Sequence, residues 1–106
     1  MAQEWIAAAQ CANIDEDDTY AVEVDGREIC LYNVAGEYFA TDNKCTHGDA
    51  DLSDGLIQDG YMIECPLHEG MFDIRSGQPM SAPCTEAIRC HELRVQDGVI
   101  YLRLVS

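Results

Sequence analysis

Apolar and polar residues alternate with a period of two along much of this chain, in short runs separated by turn chemistry. Tyr20-Ala21-Val22-Glu23-Val24 alternates, Asp25-Gly26 has the composition of a two-residue hairpin turn, and Glu28-Ile29-Cys30-Leu31-Tyr32 resumes the strand pattern. Ala35-Gly36 turns the chain again into Tyr38-Phe39-Ala40. Near the far end, Leu93-Arg94-Val95, the turn Gln96-Asp97-Gly98 and the run Val99 to Leu104 predict a second hairpin. Trp5-Ile6-Ala7-Ala8 is a weak opening strand, and Asp15-Glu16-Asp17-Asp18 reads as a solvated loop. No stretch keeps a helical period between caps. The pattern predicts an all-β chain.

The alternation breaks down in the middle. From about Asn43 to Pro83, Gly48, Gly55, Gly60, Gly70 and Gly77 interrupt the chain. A short hairpin is expected inside this stretch, with Leu56-Ile57 and Met62-Ile63-Glu64 around Asp59-Gly60. The organisation expected is one domain over residues 1–106, whose β scaffold carries an inserted subdomain at about 43–83 with function on its loops.

Composition narrows the classes. A hydrophobic share of 47% suits a globular chain, and no apolar run approaches the ~20 residues that would span a bilayer. Met1-Ala2-Gln3-Glu4-Trp5 has neither the basic nor the long apolar region of a secretory signal, so a cytoplasmic location is expected. Twenty Asp and Glu against six Lys and Arg give a formal charge of −14. That balance speaks against nucleic acid and anionic membranes as partners and suits a basic docking surface on another protein. The six cysteines read as reduced thiols rather than as a disulfide framework; Cys30, inside a strand pattern, behaves as a small hydrophobe.

Two of those cysteines belong to a motif. Cys45-Thr46-His47 is followed, after seventeen residues, by Cys65-Pro66-Leu67-His68. Each segment offers one sulfur and one nitrogen at close spacing. That is the donor set of a Rieske [2Fe–2S] centre, in which two thiolates hold one iron and two imidazoles the other. The candidate ligands of one such cluster are therefore Cys45, His47, Cys65 and His68. Two Cys and two His also make a tetrahedral zinc set, but zinc frameworks usually pair cysteine with cysteine. A zinc-binding module remains the alternative, as do ordinary core thiols. His91 has no motif partner and reads as a surface histidine. With His47 and His68 used, His91 alone cannot build a 2-His-1-carboxylate iron site, so the chain is not expected to be an oxygenase.

The segments Ala40 to Gly48, Leu52 to Gly55 and Ile63 to Asp73, with Ser76-Gly77-Gln78-Pro79 and Ala82-Pro83-Cys84, resemble the Rieske-type ferredoxins of bacterial aromatic-ring-hydroxylating dioxygenases. The likeness runs over essentially the whole chain and is closest to naphthalene-type systems. It implies stacked antiparallel sheets with the cluster at one tip. It also implies a monomeric electron carrier, not an enzyme, whose partners are an NAD(P)H-dependent flavin reductase and a terminal Rieske non-haem iron oxygenase. A small Rieske-like subunit of another redox enzyme, such as a nitrite reductase, is the neighbouring possibility.

The same resemblance assigns roles. Cys45 and Cys65 would take the inner iron, and His47 and His68 the outer iron, with their edges towards solvent. Gly48 and Gly70 would let the backbone approach the sulfides, while Leu67 and Pro83 would shield them. The Rieske proteins of respiratory bc complexes resemble C-T-H-x-G-C and C-P-C-H-G-S-x-Y, with a disulfide between the loops. Ala50 and Leu67 stand here in place of those extra cysteines, and Gly70 and Phe72 in place of the serine and tyrosine that donate to cluster sulfurs. Fewer donors mean a less stabilised reduced cluster, so a low potential is expected.

Overall fold

The computed structural model describes residues 4–46, 48–58, 60–67, 69–82 and 84–105. Among these residues the chain forms nine strands and two single 3₁₀ turns, and no α-helix. The strands are β1 (Ile6–Gln10), β2 (Asp18–Val24), β3 (Arg27–Val34), β4 (Glu37–Asp42), β5 (Leu56–Gln58), β6 (Met62–Glu64), β7 (Met71–Asp73), β8 (Glu92–Gln96) and β9 (Val99–Arg103). They make three antiparallel sheets of order β1-β9-β8, β2-β3-β4 and β5-β6-β7.

Turn chemistry sets the register. Asp25 and Gly26 have φ of 54° and 77°, and Asp97 and Gly98 have 53° and 77°. Two consecutive left-handed residues give the primed turn whose twist matches the flanking strands. Val24 accordingly pairs with Arg27, and Gln96 with Val99.

Strand β3 organises the interior. Ile29 and Leu31 point into one core with Val24, Ala40, Ile100 and Leu102, closing the β2-β3-β4 sheet on the β1-β9-β8 sheet. Cys30, Tyr32 and Val34 point the other way, into a second core with Ile63, Phe72 and Ile74 of the middle segment. A strand buried on both faces needs apolar residues at consecutive positions, which explains the unbroken Ile29-Cys30-Leu31 run. The polar exception, the Tyr32 hydroxyl, is paired with Thr41 Oγ1 at 2.9 Å. At the far side of the small sheet, Tyr61 anchors it to the scaffold. Its ring meets Phe39 edge-on at 5.9 Å, its hydroxyl donates to Glu37, and Arg75 lies 4.1 Å over its face.

Three details depart from the sequence reading. Met71–Asp73 is a strand, pairing with β6 so that Phe72 faces Ile63; three residues are too few to show a period. Asp18, expected in the acidic loop, opens β2 opposite Asn33. His91 is buried, not on the surface. Its Nε2 lies 2.7 Å from Asp42 Oδ1, and its Nδ1 accepts the Val105 N–H at 2.9 Å.

Candidate metal centre

Two loops of matched closure carry the cysteines. In the first, which follows β4, the Cys45 N–H donates to the Ala50 carbonyl at 2.9 Å. In the second, which follows β6, the Cys65 N–H donates to the Gly70 carbonyl at 2.7 Å. Each cysteine thus bonds to the residue five positions on. Asn43 fixes the base of the first loop, its carbonyl and Oδ1 accepting the N–H groups of Leu52 and Ser53 at 2.7 and 2.9 Å. In the second loop Glu69 is left-handed, at φ 59°. The loops touch: a Cβ on Gly48 would lie 2.5 Å from Leu67 Cδ2. At Gly48 the absent side chain serves this approach of one loop to the other.

Cys45 and Cys65 are both buried, side by side in one cluster of buried residues. Burial pushes the Cys65 thiol up to about 11; the Leu67 backbone N–H, directed at its sulfur, works against that rise, and the Cys45 sulfur adds to it. None of the six cysteines is in a disulfide. Two adjacent buried thiols resist ionising unless a cation supplies compensating charge, and a coordinated metal does so outright. The pair, with a backbone N–H already aimed at one sulfur, fits an iron–sulfur centre. Among the described residues no set of three or more His, Cys, Asp or Glu is arranged to hold a metal ion. The remaining expected donors, His47 and His68, lie outside the described residues, as does Pro83.

A further side chain at the site carries no motif. Cys84 is buried in the same cluster as Cys45 and Cys65. The cue available in the sequence was its place beside Pro83, in the loop that the resemblance sets over the cluster. Around the loops the surface is acidic. Asp49 is fully exposed and paired with Lys44 Nζ at 2.6 Å, which holds its carboxyl below the usual range. Asp51 lies 4.0 Å from the same ammonium, whereas Glu69 makes no ion pair among the described residues. No described helix is long and apolar enough to cross a membrane.

Comparison with known proteins agrees with this geometry. Residues 4–92 match the Rieske [2Fe-2S] domain. The chain is 44% identical over 104 residues to the ferredoxin component of the naphthalene 1,2-dioxygenase/salicylate 5-hydroxylase systems of a Ralstonia species, covering 98% of this chain and 99% of that one. Among solved structures, the ferredoxin of Sphingomonas yanoikuyae B1 superposes with a TM-score of 0.89 at 38% identity, over 96% of this chain and all of the other. A ferredoxin solved in complex with the oxygenase of carbazole 1,9a-dioxygenase gives 0.87 at 34% identity, over 95% and 94% of the two chains.

Proposed function

This chain belongs to the Rieske [2Fe–2S] family and carries one such cluster, and on that premise we propose that Cys45, His47, Cys65 and His68 are its four ligands. The cysteines would supply two thiolates to one iron and the histidines two neutral imidazoles to the other. The observation that carries the assignment is the buried pair Cys45 and Cys65, delivered by two loops of the same closure. The chain is an electron carrier rather than the catalytic oxygenase.

Its cytoplasmic circuit runs from an NAD(P)H-dependent flavin reductase to a terminal Rieske oxygenase of an aromatic-ring-hydroxylating system. Identity over nearly the full length to ferredoxin components supports that circuit, as does likeness to a ferredoxin solved with its oxygenase. The carrier acts as a monomer, a single domain over 1–106 with a cluster-binding subdomain at about 43–83. Gly70 and Phe72 offer no hydroxyl to the cluster, which places the midpoint near the lower Rieske limit of about −150 mV.

Iron and sulfide analysis with electron paramagnetic resonance of the reduced protein tests the assignment. About two irons and two sulfides per chain, with the low average g value of mixed His/Cys ligation, is the expected result. Stoichiometric zinc without an iron-dependent spectrum would overturn it. The circuit is tested by anaerobic reduction with NADH and a flavin reductase of such a system, followed by reoxidation with its terminal oxygenase. Failure of both steps would remove the partners and leave the cluster assignment standing.

A further inference from the structure

A third sulfur stands beside the two cysteines assigned to iron, and neither the ligand motif nor the carrier function accounts for it. We propose that the Cys84 thiol tunes the cluster by donating a hydrogen bond to the Cys45 sulfur. The proposal rests on the ligand assignment above. Cys84 is buried in the same side-chain cluster as Cys45 and Cys65, so its sulfur is packed among theirs.

Its loop is tied to both ligand loops. The Thr46 hydroxyl, next to Cys45, donates to the Glu86 carbonyl at 2.8 Å. Ser81 Oγ accepts the N–H of Met71, next to Gly70, at 3.0 Å. Between these ties the Cys84 N–H closes a turn on the Ser81 carbonyl at 3.1 Å. The approach of Cys84 to Cys45 is therefore set by three bonds that do not involve either sulfur.

The direction of the effect follows from proton inventory. An iron-bound cysteine is a thiolate with no proton to give, so of the pair only Cys84 has an S–H to donate. Reduction places more negative charge on the cluster and its ligand sulfurs. A donor at Cys45 then stabilises the reduced state more than the oxidised one and raises the potential. With Gly70 and Phe72 lacking hydroxyls, Cys84 is a side-chain donor that remains. Valine would fill a similar volume without donating, and serine would donate more strongly than a thiol. Cys84 is a positioning and tuning residue, not a ligand.

The experiment compares holo-protein with Cys84→Val and Cys84→Ser, reading iron content, midpoint potential and the g values of the reduced centre. All three proteins should retain about two irons per chain. In Cys84→Val the equilibrium constant for reduction should fall about three-fold, a midpoint drop of about 28 mV at 59 mV per tenfold for one electron. Cys84→Ser should sit at or above the parent. A purely structural role would lower thermal stability without producing that order of potentials. Equal potentials in all three proteins, or a rise in Cys84→Val, would overturn the proposal, as would loss of iron in both variants, which would make Cys84 a ligand. The underlying assignment fails differently: an intact cluster in Cys45→Ser would remove the acceptor itself.

Discussion

Cys30 and Cys65 are equally inaccessible, each 0% exposed, yet they sit in regions built for different purposes. Cys30 lies mid-strand in β3, flanked by Ala21 of β2 and Thr41 of β4, and burial pushes its thiol up to about 12. Its S–H reaches the neighbouring Leu31 carbonyl at 3.8 Å, and the sulfur serves as a small core filler. Cys65 lies just past the end of β6. The chain has left the ladder, so the Leu67 N–H is available to the Cys65 sulfur, and a second loop brings Cys45 opposite. Burial alone does not mark a reactive sulfur. What separates the two is the loop position of Cys65, which lets a second loop bring Cys45 into the same buried cluster.

The sharpest way to break that comparison is to replace each sulfur. Cys65→Ser or Cys45→Ser should abolish the iron–sulfur spectrum and lower stability, because metal binding and folding are linked. Cys30→Ala should keep full iron content and cost roughly 1–2 kcal/mol in a urea titration, as a small cavity in a packed core does. Loss of the cluster from Cys30→Ala would erase the distinction.

Glycines extend the comparison from side chains to backbone. A Cβ on Gly55 would collide with the Glu64 carbonyl oxygen, immediately before Cys65, whereas one on Gly26 would meet nothing. Gly55→Ala should therefore cost about 1–3 kcal/mol, as overpacking does, and reduce iron occupancy by displacing the second loop. Gly26→Ala should cost only the strain of a left-handed residue, ~1 kcal/mol, with occupancy unchanged. Denaturant melts alongside iron analysis check both.

The scaffold has a polar device of its own, His91 against Asp42 at the end of β4. Burial holds the His91 pKa below its ordinary value of about 6.5, against the pull of Asp42 and with Arg27 and Arg89 opposing protonation. Because Nδ1 accepts the Val105 N–H, the ring is neutral with its proton on Nε2, donating to Asp42. An unfolded chain takes up a proton below about pH 6.5 that the folded chain refuses. Stability should be undiminished by this group above that pH, and should fall from there down to the lower native pKa. His91→Gln should remove that part of the slope in melts across pH 5–7 while leaving the cluster spectrum unchanged.

The smallest expected effect is at the surface of the loops. Lys44 offsets Asp49, while Glu69 has no such pair among the described residues. Glu69→Gln should slow electron transfer to an oxygenase and flatten its salt dependence more than Asp49→Asn, and both more than Asp15→Asn on the remote acidic loop. Stopped-flow rates across an ionic-strength series, where screening shortens to ~8 Å at 0.15 M, separate the three. Identical responses would mean that the −14 charge acts only as a diffuse field.

Local chemistry was legible from the amino-acid sequence. Asp25-Gly26 and Asp97-Gly98 announce their hairpins because two consecutive left-handed positions demand such residues, and the alternation of β2 and β9 announces which face is buried. The pairing of Cys45 with His47 and of Cys65 with His68 is likewise a matter of spacing along the chain. Three features were decided only in three dimensions. β7 is a strand because Phe72 finds Ile63 across the small sheet. His91 is buried because Asp42 and Val105 close around it from other elements. Cys84 joins the cluster of Cys45 and Cys65 because Thr46 and Ser81 tie their loops together. Each depends on a partner far away in sequence or on a run too short to show a period. Turns and ligand spacing are properties of neighbouring residues, so the sequence alone determined them; contacts between distant loops exist only once the two cores on either side of β3 have formed.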